Sequence, residues 1–68
     1  MNEYTIEIFR KNDMGVVSLY DTHKLQAANV EVAHMFAVNY IRDFYNEDRY
    51  SYKNLKLVKE FYNPDGEI

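Results

Sequence analysis

The chain predicts a small α+β domain in the order strand–strand–helix–strand, a mainly antiparallel three-stranded sheet packed on one long helix. Three features lead there. Tyr4 to Arg10 alternates with period two, as a half-buried strand does. Asn12-Asp13-Met14-Gly15 is turn chemistry between that run and a second one. A long stretch free of Gly and Pro then carries helical periodicity before a third alternating run.

In the first strand Tyr4, Ile6 and Ile8 are expected to face the core, and Thr5, Glu7 and Phe9 the other side. The second strand is expected from Val16 to Tyr20, with Val17 and Leu19 inward and Val16, Ser18 and Tyr20 outward. Asp21 or Thr22 is the expected helix cap, because a short side-chain oxygen accepts a bond from a free backbone N–H. The helix is then expected from about Lys24 to about Asn46. Leu55 to Phe61 alternates as a third strand, with a start as early as Tyr50 also compatible, and Asn63-Pro64-Asp65-Gly66 is a turn that stops it. Residues 1–62 therefore form a single domain and 63–68 a turn and short tail. A right-handed crossover brings the last strand beside the first, giving sheet order 2-1-3. The expected core is Ile6, Ile8, Val17, Leu19, Leu57, Ala37, Ile41 and Phe44.

Sixty-eight residues allow one core. A domain this small buries only about 60% of the surface its unfolded chain exposes, so oligomerisation is a natural stabiliser. Cysteine is absent, which removes disulfides and the common zinc frameworks and fits a reducing, cytoplasmic setting. The opening MNEYTIEIFR lacks a basic segment followed by an apolar run, and no stretch approaches the length of a membrane span. No signal peptide and no membrane partner are expected. The net charge of −3 does not favour duplex nucleic acid, where affinity rests on phosphate neutralisation. Seven tyrosines and seven asparagines suggest an AT-rich coding sequence, common in bacteriophages and mobile elements.

Chemistry-bearing residues are sparse. Gly15 and Gly66 are isolated, so no phosphate-cradling loop forms, and Ser18 and Ser51 lack a nucleophile-elbow context. Asp21 and His23 could share a metal, but two ligands make an incomplete site; a capping Asp beside a solvated His is the plainer reading. His34 reads as a boundary histidine. Asp43 and Glu47, four apart near Arg42 and Arg49, read as a solvated charge cluster. No catalytic residue, metal or cofactor is expected, and the chain is expected not to be an enzyme.

Two surfaces exceed what one core absorbs. On the helix, Val30, Ala33, Ala37, Tyr40, Ile41 and Phe44 form the sheet-facing side, while Leu25, Ala28, Val32, Met35 and Phe36 gather nearly opposite. On the outer sheet face, Phe9, Val16, Tyr20, Val58 and Tyr62 are expected together. Val32, Met35, Phe36, Phe9, Tyr20 and Tyr62 are accordingly the candidate protein-binding residues, because contiguous apolar area marks interaction sites. Lys53, Lys56 and Lys59 lie close to Tyr50, Tyr52 and Tyr62, a combination that can stack and neutralise single-stranded nucleic acid. A regular strand, however, places Lys56 and Lys59 on opposite faces, and edge lysines also discourage strand-to-strand aggregation.

The expected function is a non-enzymatic protein-binding module engaging a host protein or itself as a homodimer. A phage or mobile-element accessory protein that inhibits or redirects its host partner by stoichiometric binding fits this expectation. The alternative is a single-stranded nucleic-acid binder using the outer aromatics and lysines.

Overall fold

In the computed structural model, which describes residues 1–60, the elements are β1 (Asn2–Lys11), β2 (Val17–Ala27), α1 (Val30–Phe44) and β3 (Tyr50–Glu60). The sheet order is β2-β1-β3, and β1 is antiparallel to both neighbours. This is the expected ββαβ architecture. Tyr62 and the Asn63–Gly66 turn lie outside the described residues.

The hairpin is built as its sequence demands. Asn12 accepts bonds through Oδ1 from the backbone N–H groups of Met14 (2.9 Å) and Val16 (3.0 Å). Gly15 sits at φ 82°, a left-handed conformation that costs a glycine nothing.

The boundary between β2 and α1 differs from the expectation. Asp21 to Ala27 continues the strand, and α1 begins only at Val30, capped by Asn29 rather than by Asp21 or Thr22. The Asn29 Oδ1 accepts from the Val32 N–H at 3.0 Å. Leu25 and Ala28 leave the helix as a result. Leu25 instead pairs with Tyr4 and packs under α1, which removes two residues from the expected second apolar helix face. The helix also stops at Phe44, before Asn46, where Tyr45 turns extended. β3 takes the earlier of its two expected starts, Tyr50.

Tyr4, Ile6 and Ile8 of β1 are buried against Ala33, Ala37 and Ile41, a strip spaced four residues apart on one side of α1. The alanines let helix and sheet approach closely. Four expected core residues are not in the core: Val17 is 47% exposed, Leu19 53%, Leu57 49% and Phe44 72%. For Val17 and Leu19 the cause is a register shift between Ile8 and Phe9, where Ile8 pairs with Asp21 but Phe9 with Leu19. Tyr20 is the extra residue of a β-bulge, and paired residues share a face, so Leu19 and Val17 follow Phe9 outward. Leu57 pairs with the buried Tyr4 but lies on an edge strand, and Phe44 is the last residue of the helix.

These assignments carry an energetic ordering. Ile6→Ala or Ile8→Ala should cost about 2–5 kcal/mol, because each empties a fully buried position. Leu19→Ala should cost less than about 1 kcal/mol, as a change on an open face does. Urea denaturation followed by circular dichroism measures both, and a Leu19 loss equal to that of Ile8 would place Leu19 back in the core.

Candidate functional site

The outer sheet face follows from the register. Across β1, Thr5 is flanked by Lys24 and Lys56, Glu7 by Thr22 and Lys53, Phe9 by Leu19 and Ser51, and Glu3 by Gln26 and Lys59. Lys11 pairs with Val17 at the hairpin end. All five lysines of the chain thus stand on the face away from α1, with Glu3 and Glu7 as that face's carboxylates among the described residues.

The expected split of Lys56 from Lys59 does not occur, and β3 explains why. Its register shifts twice against β1, once around Asn54-Leu55 opposite Ile6 and once at Val58. Each shift absorbs one extra residue. The three-residue steps from Lys53 to Lys56 and from Lys56 to Lys59 therefore each span two rows of the sheet, and the side chains come out on one side. Adjacent rows of like orientation lie about 7 Å apart. Asn54 adopts φ 58°, the left-handed region that asparagine tolerates better than most residues, and its Nδ2 donates to the Glu7 carboxylate. The switch is visible in the sequence once sought: the inward residues are even-numbered at Tyr50 and Tyr52, then odd-numbered at Leu55 and Leu57.

Phe9 anchors the other end of this face. The Lys53 ammonium lies 5.3 Å from its ring centroid, within cation–π range, and Leu19 and Val17 extend the apolar patch toward the hairpin tip. Among the described residues, no element packs over this surface.

The tyrosines went to the other side. Tyr50 pairs with Arg10 and Tyr52 with the buried Ile8, so both face α1. Tyr20, expected outside, contacts Tyr45 and Tyr50 edge-on at 6.1 and 5.3 Å. Tyr45 and Tyr50 in turn pack on the core. His23 stacks on Tyr40 at 3.8 Å, and Asp21, rather than capping a helix, accepts from the Thr22 N–H within β2. His34 bonds through Nδ1 to the Tyr52 hydroxyl at 2.9 Å. Arg42 approaches Glu47 at 3.9 Å with both side chains largely in solvent.

The other candidate residues are divided. Met35 is 62% and Phe36 43% exposed on the outer side of α1, whereas Val32 is half-buried against the Tyr4, Ala27 and Ala33 cluster. The structure therefore separates Phe9 from Met35 and Phe36 by the thickness of the domain. The residues that sequence reasoning missed are Val17, Leu19 and Lys24, displaced to the outer face by the Tyr20 bulge and the longer β2. Among the described residues no group of three or more His, Cys, Asp or Glu could hold a metal ion, and no helix is long and apolar enough to cross a membrane.

No protein-family model, curated protein or solved structure matches the chain.

Two outcomes follow from the geometry. Asn54→Gly should leave stability near wild type, whereas Asn54→Val should cost about 1–2 kcal/mol by forcing a branched residue into the left-handed region. Thermal unfolding compares them, and equal midpoints would remove the bulge's conformational demand. The Tyr45 hydroxyl is held above the ordinary 10.0, first by burial among its neighbours, then by its bond to Tyr40 and by the charges of Tyr40, Asp21 and Tyr20. The fold thus favours neutral Tyr45, a stabilisation present in full below pH 10 and lost as pH rises through the raised value. Ultraviolet titration should show one late-ionising tyrosine, absent in Tyr45→Phe.

Proposed function

We propose that this chain is a non-enzymatic protein-binding module whose binding surface is the open sheet face centred on Phe9 and Leu19. The observation that carries this reading is the apolar patch formed where the Tyr20 bulge turns Val17 and Leu19 to the solvent side beside Phe9. Exposed apolar residues rimmed by charge are the ordinary composition of a recognition surface. The outer helix face is the weaker candidate, because Leu25 and Ala28 belong to β2 and the following turn, and Val32 already has partners. The tyrosine and asparagine content supports placing such a module among phage or mobile-element accessory proteins that act by occupying a host protein.

A single-stranded nucleic-acid binder gains from the lysines meeting on one face. It loses the stacking rings, since Tyr20, Tyr50 and Tyr52 face α1 and Phe9 alone among the described aromatics stands among the lysines.

The test is co-purification of the tagged chain with its partner. Leu19→Asp should weaken recovery at least about tenfold, as removal of a central contact does, while circular dichroism stays unchanged. Met35→Glu should leave recovery intact. If Met35→Glu abolishes recovery and Leu19→Asp does not, the helix face is the site and this assignment fails.

A further inference from the structure

The geometry points to an acidic protein surface with an apolar protrusion as the occupant of the sheet face, an inference that rests on the protein-binding reading above. A chain of net charge −3 gathers all five of its lysines on one face, whereas among the described residues Asp13, Asp21, Glu31, Asp43, Glu47, Asp48 and Glu60 stand on the turn, the helix side and the helix–strand connection. Random placement does not explain the lysines on β3, because Lys53, Lys56 and Lys59 share a face only through two separate bulges. Lys24 and Lys56 stand on either side of Thr5, about 10 Å apart across two strand spacings, with a neutral hydroxyl rather than a carboxylate between them. Among the described residues, that row sets two lysines side by side with no carboxylate opposite them. Lys53 is held over Phe9, so its charge meets the apolar patch at one point. An occupant complementary to both offers carboxylates to Lys24, Lys53 and Lys56 and an apolar side chain to Phe9, Leu19 and Val17.

Protein is favoured over a polyphosphate for two reasons on the same face. Glu3 and Glu7 stand in the central strand between the lysine-bearing edges, where a continuous phosphate backbone would meet like charge. Val17 and Leu19 offer aliphatic contact area where bases would need rings to stack on.

The experiment uses two defined probes, a synthetic glutamate–leucine copolypeptide and oligo(dT), with the wild-type chain and the triple variant Lys24→Gln, Lys53→Gln, Lys56→Gln. The copolypeptide should bind the wild type more tightly than oligo(dT) does. The triple variant should lose at least about tenfold, and raising salt from about 0.05 to 0.5 M should weaken the wild type comparably, a readout that survives if the variant misfolds. Zero-length carbodiimide coupling of the co-purified complex should join Lys24, Lys53 or Lys56 to aspartates or glutamates of the partner. Tighter oligo(dT) binding overturns the inference in favour of nucleic acid, and absence of binding to either probe overturns it outright. If the triple variant still recovers the co-purified protein while Leu19→Asp does not, the face binds protein but not through its charge. If neither variant affects recovery, the protein-binding assignment falls with it.

Discussion

Three side chains of the central strand set the orientation of everything else. Tyr4, Ile6 and Ile8 lie against the Ala33, Ala37 and Ile41 strip, and that contact decides which side of β1 is inside. In a paired sheet the decision propagates, because residues opposite one another point the same way. β2 and β3 inherit their faces from β1, and they can change them only where a strand carries an extra residue. The Tyr20 bulge changes the face of β2, and the two shifts in β3 change its face twice. The composition of the outer surface is therefore a property of the register of three strands rather than of any one strand's pattern.

This explains what could be read from the sequence and what could not. The order of elements, the hairpin, the β1 faces and the Ala37–Ile41 side of the helix are all local signals, and the structure repeats them. The segment from Asp21 to Ala27 satisfied two periods at once. His23, Leu25 and Ala27 alternate toward α1, yet Leu25 also falls three residues before Ala28 and seven before Val32, as one helical face would have it. Only its pairing with β1, from Tyr4–Leu25 to Ile8–Asp21, settles the choice, and pairing is a long-range fact. The position of Asn29 as cap follows from it. The candidate surface suffered similarly: Phe9 was legible, while Leu19, Lys24 and the union of Lys53 with Lys56 and Lys59 depended on bulges.

The aromatic residues have a consistent placement once the helix length is known. α1 ends at Phe44, while the sheet continues past Ile8 to Lys11. The sheet beyond Ile41 would be left bare on the helix side, and Tyr20, Tyr40, Tyr45 and Tyr50 fill that space with ring-to-ring contacts between 4.9 and 6.1 Å. Rings with hydroxyl tips suit such a position, apolar within and wet at the rim. The tyrosine abundance is thus partly the consequence of a short helix on long strands. Asn46 closes the connection by accepting from the N–H groups of Asp48, Arg49 and Tyr50, which delivers Tyr50 to its place beside Tyr20.

The separation of lysines from most of the described carboxylates gives the molecule a dipole directed from the helix side to the open sheet face. Dipoles act before contact. On the helix side Glu31, Asp43 and Glu47 are only partly offset by Arg42, so a negatively charged body finds that side less favourable than the lysine-bearing sheet side. The chain's overall negative charge limits loose adhesion to polyanions in general, while the local field favours encounters in one orientation. For a partner docking on the sheet face as proposed, the association rate would follow the arrangement of charge rather than its sum of −3, since the local field is what an incoming surface experiences.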